Sequence, residues 1–147
     1  MNVQERLIDL RNNLPFPQDH IDYLYKLKND GFEPKVIYDI GCCVLHWTDV
    51  AKKIWPNAKI ILFDAFTAGE FLYKDYNYFV GVLSNQDNKI VPFFQNDLHP
   101  GGNSYYKEIG HPLSKDLYNF SNSSLRTTYK LDTIVKMKKF PLPDLVK

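Results

Sequence analysis

Val36-Ile37-Tyr38-Asp39-Ile40-Gly41 decides the fold. The run is β-branched or aromatic at Val36, Ile37, Tyr38 and Ile40, and apolar on both faces except for Asp39. A strand covered on both sides reads this way, and such strands belong to parallel sheets. Gly41 then lets the chain turn sharply. Next, Trp47–Trp55 has helical spacing, with Trp47, Val50, Ala51 and Ile54 on one face, and Pro56-Asn57 stops it. Lys59–Phe66 repeats the buried-strand pattern as Ile60-Ile61-Leu62-Phe63 and then Asp64. Glu70–Tyr76 reads as a helix and Asn77–Leu83 as a third strand. Strands separated by short crossovers demand a parallel sheet with right-handed connections.

The flanks are less regular. Gln4–Leu14 carries Leu7, Leu10 and Leu14 at helical spacing, and Pro15-Phe16-Pro17 breaks it. Asp19–Asn29 is patterned as an amphipathic helix, with Gly31 placed for a left-handed C-cap. Residues 1–31 are therefore expected to form an N-terminal helical segment, and residues 32–147 an α/β region. Downstream, Lys89–Gln95 reads as a strand whose Pro92 favours an edge or a bulge. Residues 96–124 read as a long loop, with a short helix near Pro112–Tyr118. Ser124–Ile134 reads as a strand running into a helix at Asp132–Lys138, and Asp144–Lys147 as the start of another strand.

Composition narrows the function classes. The chain has 147 residues, 44% hydrophobic and 24% charged, which suits a folded domain. A net charge of +1 gives no electrostatic case for nucleic acid or an anionic membrane. Lys136-Met137-Lys138-Lys139 reads as a solvated helix end. No apolar run approaches the ~20 residues of a membrane span. No apolar stretch follows the polar N-terminus, so no secretory signal is read, and a cytoplasmic location is expected. The adjacent Cys42 and Cys43 then read as free thiols that pack as small hydrophobes. The matches at Asn119 and Asn122 to a glycosylation pattern read as chance. His20, His46, His99 and His111 show no ligand spacing, so no metal is expected. Most of the twenty Phe and Tyr read as core; Tyr105-Tyr106 stands out as a stacking platform for a sugar.

Two features carry chemistry. Asp39-Ile40-Gly41 ends the first strand, and ligands of open α/β sheets bind beyond the carboxyl ends of strands. Asp64 ends the second strand, where an acidic residue accepts hydrogen bonds from ribose hydroxyls or caps the next turn. Gly41-Cys42-Cys43-Val44-Leu45-His46 has one glycine and lacks the G-x-G-x-x-G cradle that a dinucleotide pyrophosphate wants. S-adenosylmethionine (SAM) has no pyrophosphate, so a sparser loop suffices for it. A dinucleotide or nucleotide-sugar enzyme on a related sheet remains a further possibility.

The stretch from Val36 to Thr48 resembles the first motif of FkbM-type SAM-dependent methyltransferases, V-x-D-[IV]-G-A-x-x-G-x-[WF]-T. Ile61-Leu62-Phe63-Asp64-Ala65 resembles their F-E-P strand. Val80–Ser84 with Asp87 resembles the third-strand segment, and Gly101-Gly102-Asn103-Ser104 a G-N-S element. Leu131-Asp132-Thr133-Ile134 resembles V-D-T-[LI], and Pro143–Lys147 the lead into the fourth core strand. The likeness covers about Phe32 to Lys147.

The resemblance implies a Rossmann-like class I methyltransferase sheet that is incomplete, with about three parallel core strands plus an extra strand and loop. It implies that Asp39, Gly41 and the Cys43 backbone hold the methionyl end of SAM, and that Asp64 holds the ribose. Asn103 and Ser104 would lie on the acceptor side. The implied reaction is O-methylation of a sugar or another small hydroxyl-bearing acceptor. No catalytic base is named by it. The sequence departs from the pattern at Leu45, where the family has a second glycine and a side chain is expected to crowd the cofactor. Cys42 replaces alanine, and Asp64-Ala65 replaces Glu-Pro. The family's I-D-x-x-G-x-E does not follow Lys147, so the first strand is expected to keep a bare edge. The alternative expectation is a catalytically inactive fragment, or a binding module completed by a partner chain.

Overall fold

The structure is a computed structural model that describes residues 1–110, 115 and 118–147. Helices α1 (Val3–Asn13) and α2 (Gln18–Asn29) lead into β1 (Val36–Ile40), α3 (His46–Ile54) and β2 (Lys59–Asp64). A 3₁₀ helix at Thr67–Leu72 joins β2 to β3 (Asn77–Val80). Then come β4 (Val82–Leu83), β5 (Ile90–Phe94), β6 (Ser123–Tyr129), α4 (Leu131–Lys138) and β7 (Leu145–Val146). Of the short helix expected near Pro112–Tyr118 only Lys115 and Tyr118 are among the described residues, and His111 lies outside them.

The main sheet has the order β3-β2-β1-β7, and every pairing in it is parallel. Strand periodicity sorts its side chains. Ile37, Ile60 and Leu62 face α2 and α3, and pack with Leu24, Trp47, Ala51 and Ile54. Tyr38, Ile61 and Phe63 face the opposite way and meet Ile134 of α4. Both faces are thus covered, which is why these strands are apolar throughout. The molecule is α/β, with a four-stranded parallel sheet compatible with a Rossmann-like arrangement. Helix α1 packs Leu7 against Val44 and Phe66, over the turns that follow β1 and β2. Helix α2 ends as its glycine requires: Gly31 has φ +90°, and the Gly31 and Phe32 N–H groups donate to the Lys28 and Leu27 carbonyls.

Three expectations are corrected. The helix expected over Glu70–Tyr76 is the shorter 3₁₀ helix Thr67–Leu72. Gly69 favours that tight turn, because a Cβ there would lie 2.7 Å from both the Phe66 ring and the Tyr73 hydroxyl. The single strand expected over Asn77–Leu83 is broken at Gly81, so β3 stays in the main sheet and β4 joins a second sheet of order β4-β6-β5. The Gly81 N–H donates to the Asp64 carbonyl at the break (2.8 Å). The first strand's outer edge is not bare, and the parallel core has four strands rather than three. Leu145 and Val146 pair with Ile37 and Tyr38. The Asp144 carboxylate clamps them by accepting from the Lys35 and Val36 N–H groups at 2.7 and 2.9 Å. Pro92 lies in β5, which is an edge strand of the second sheet.

Among the described residues, no helix is long and apolar enough to cross a membrane. No group of three or more His, Cys, Asp or Glu among them is placed to hold a metal ion.

Candidate functional site

The turn after β1 alternates its backbone handedness. Gly41, Cys43 and Leu45 have φ values of +73°, +47° and +72°. Four of its N–H groups are spent within the protein. Those of Gly41 and Cys42 donate to the Phe63 carbonyl at 2.8 and 3.3 Å, and that of Leu45 to the Cys42 carbonyl at 2.7 Å. The Cys43 N–H donates to Asp64 Oδ2 at 2.6 Å. The loop therefore holds itself against the end of β2.

Leu45 resolves the crowding expected of it. Its side chain is fully buried in the core with Ile37, Trp47 and Ala51, and it does not line the cavity described below. A left-handed backbone is what glycine would adopt freely there. Here a leucine adopts it, and the side chain turns inward.

Asp39 is completely buried. One carboxylate oxygen accepts from the Thr48 hydroxyl of α3, and the other from Lys147 Nζ at 2.8 Å. The same ammonium donates to the Gly41 carbonyl at 2.8 Å. Strand alternation places Asp39 on the α3 side, the side of Ile37, which is how Thr48 reaches it. Thr48 stands in the stretch quoted above without a role there; Lys147 carries no signal until β7 is laid beside β1.

Asp64 has both oxygens engaged, one with Cys43 N–H and one with Phe66 N–H at 2.9 Å. Burial raises its pKa, and the N–H groups of Cys43, Phe66 and Ala65 partly offset that. A carboxylate offers about four acceptor positions, so capacity for a ligand hydroxyl is left. Cys42 and Cys43 are protonated thiols. Burial, with Asp64's charge second, pushes Cys43 up to about 11 and Cys42 further still. Neither is poised as a nucleophile.

One cavity, of about 210 Å³, opens at the carboxyl ends of β1 and β2 and beside the Gly81 break. Gly41, Asp64, Asn103 and Ser104 all line it, against an apolar wall that includes Phe63, Val82 and Phe93. The 103–104 segment is pinned there by reciprocal backbone bonds between Phe94 and Ser104, at 2.8 and 3.1 Å. Asn103 Oδ1 accepts from the Asn96 N–H at 2.7 Å, while its amide nitrogen is buried with no hydrogen-bond partner among the described residues. Such an orphan donor is costly unless something accepts from it. Tyr105 lines the same cavity, and its ring centroid lies 4.4 Å from that of the exposed Tyr106. Cys43 and Asp39 do not line the cavity. Cys43 opens instead onto a groove of about 740 Å³ beneath α1.

No protein-family model matches the chain, and no curated protein or solved structure matches it significantly.

Proposed function

We propose that the chain carries a SAM site of the class I methyltransferase kind, related to the FkbM-type enzymes, and that the acceptor is a hydroxyl of a sugar or another small molecule. The observation behind this reading is the shared cavity. Gly41, Asp64 and the Asn103-Ser104 pair come from three separate segments, yet all line one recess at the carboxyl ends of β1 and β2. That is the place where open α/β sheets bind ligands. The residues present fit parts of such a cofactor. Asp64 keeps acceptor capacity for ribose hydroxyls, and the orphaned Asn103 amide suits an acceptor atom. When bound, SAM would supply an activated methyl for the acceptor oxygen, with Asp64 placed to hold its ribose hydroxyls. The chain's own part is alignment and exclusion of solvent.

A second reading, a binding module of this fold that catalyses nothing alone, draws on different observations. The cavity is below the ~300–1,000 Å³ usual for small-molecule sites, at about 210 Å³. Four of the loop donors and both oxygens of Asp39 are already engaged internally. On this reading a partner chain or further chain length supplies the missing wall.

Calorimetric titration of the purified chain with SAM, S-adenosylhomocysteine and NAD separates the readings. Saturable heat with the first two and none with NAD is expected. Absence of heat from both sulfur nucleosides at high-micromolar ligand overturns the cofactor assignment. Saturable heat with NAD alone transfers it to a dinucleotide.

A further inference from the structure

At the carboxyl end of β1 a primary ammonium already sits in a site made for one. Lys147 Nζ lies 2.8 Å from Asp39 Oδ1 and 2.8 Å from the Gly41 carbonyl oxygen. The Asp39 carboxylate is completely buried and its other oxygen is taken by Thr48, itself buried. A buried carboxylate demands a cation or donors beside it. The Lys147 side chain remains one-third exposed, so its ammonium enters from the solvent side.

We propose that Lys147 fills, in the free protein, the place at Asp39 and the Gly41 carbonyl that the family resemblance gives to the ammonium of the cofactor's amino-acid end, and that the ligand binds by displacing it. The inference rests on the cofactor reading for the identity of that ligand, while the occupancy by an ammonium is read from Lys147 itself. The exchange is neutral in charge, one ammonium for another, so Asp39 is never left unpaired. The lysine stem is long and flexible enough to swing out. The strand that carries it need not move, because the Lys147 N–H donates to the Tyr38 carbonyl and the Lys147 carbonyl accepts from the Ile40 N–H. Thr48 stays on the second oxygen throughout. The contact thus sets a threshold on ligand binding: only a ligand bringing its own ammonium recovers the interaction that it breaks.

The test uses K147M, which keeps much of the apolar stem and removes the charge, with K147Q as the second variant should K147M not fold. Thermal melts of the variant are recorded at constant ionic strength with ethylammonium, tetramethylammonium or sodium chloride. The variant is expected to melt below the wild type. Ethylammonium alone is expected to restore part of the loss, since tetramethylammonium has no N–H and sodium has no donor. Equal effects of the three salts overturn the ammonium site. In parallel, both proteins are titrated with S-adenosylhomocysteine and with 5′-methylthioadenosine, which lacks the amino-acid end. If Lys147 fills the site about 90% of the time, its removal tightens S-adenosylhomocysteine about tenfold and leaves methylthioadenosine unchanged. Unchanged or weaker S-adenosylhomocysteine binding overturns the displacement. Rescue by ethylammonium without binding of either nucleoside keeps the ammonium site and removes the cofactor reading.

Discussion

Replacing Leu45 by alanine and, separately, by glycine should reverse the usual order of the two. Leu45 has φ +72° and ψ +15°, its side chain is fully buried, and its N–H closes the turn onto the Cys42 carbonyl. Leu45→Ala deletes the packed side chain, which costs about 2–5 kcal/mol for a buried leucine. It keeps a Cβ, so the left-handed strain of about 1–2 kcal/mol stays in the folded state. Leu45→Gly deletes the same packing and releases that strain. It adds about 0.5–1 kcal/mol of unfolded-chain entropy to be lost on folding. The difference leaves the glycine variant equal to the alanine variant or more stable by up to about 1.5 kcal/mol. At an ordinary right-handed position glycine would instead be worse by about 0.5–1 kcal/mol. Urea denaturation of both variants, compared at a common slope, reads the sign directly. A glycine variant clearly less stable than the alanine variant would refute the left-handed turn, and with it the inward placement of the side chain. The same variants address the cofactor. Since Leu45 points into the core, neither change should improve nucleoside affinity.

Two carboxylates give opposite pH signatures. Burial raises the folded-state pKa of Asp64 above its ordinary 3.8, so the folded protein holds the proton longer than the unfolded chain. Its contribution is therefore fully present below 3.8 and is lost as pH rises through the folded value. Asp64→Asn should flatten that decline. It should also destabilise by about 1–3 kcal/mol at neutral pH, because an amide cannot accept from the Cys43 and Phe66 N–H groups on both of its ends. Urea midpoints measured across acid pH check both, and parallel wild-type and variant profiles would count against the buried geometry. Asp144 runs the other way: the Val36 and Lys35 N–H groups hold its pKa below 3.8, so its contribution is present above 3.8 and is lost as pH falls through the lowered value. Asp144→Ala should remove that acid-side loss and speed hydrogen exchange of the Ile40 amide, which β7 protects through the Lys147 carbonyl. An unchanged Ile40 exchange rate would mean that Asp144 does not clamp the strand.

The local elements were legible because their causes are local. The apolar runs at Val36–Ile40 and Ile60–Phe63 sit in a sheet covered on both faces, and period-two and period-3.6 spacing follow from backbone geometry. Gly31 announced a left-handed cap, and Pro92 announced an edge strand. Glycine was less informative where its role was set at a distance. Gly69 makes room for Phe66 and Tyr73, and Gly81 hands the chain from one sheet to another. Neither effect has a period to read.

The gathering of Gly41, Asp64, Asn103 and Ser104 around one cavity was a sequence expectation only through family likeness, since nothing in their spacing dictates it. What the chain alone determined is the alternation of buried strands and crossovers, which sets a parallel sheet and puts Asp39 and Asp64 at strand ends. The state of those carboxylates was decided by tertiary structure. Leu145-Val146 docks on β1 through backbone bonds that any sequence can make, and that docking delivers the Lys147 ammonium to Asp39. The turn after β1 likewise spends donors on Phe63 and Asp64, whose positions follow from the pairing register of β1 with β2. Electrostatics at such short range depends on which oxygen faces which nitrogen, and that is fixed only when strands distant in sequence lie side by side.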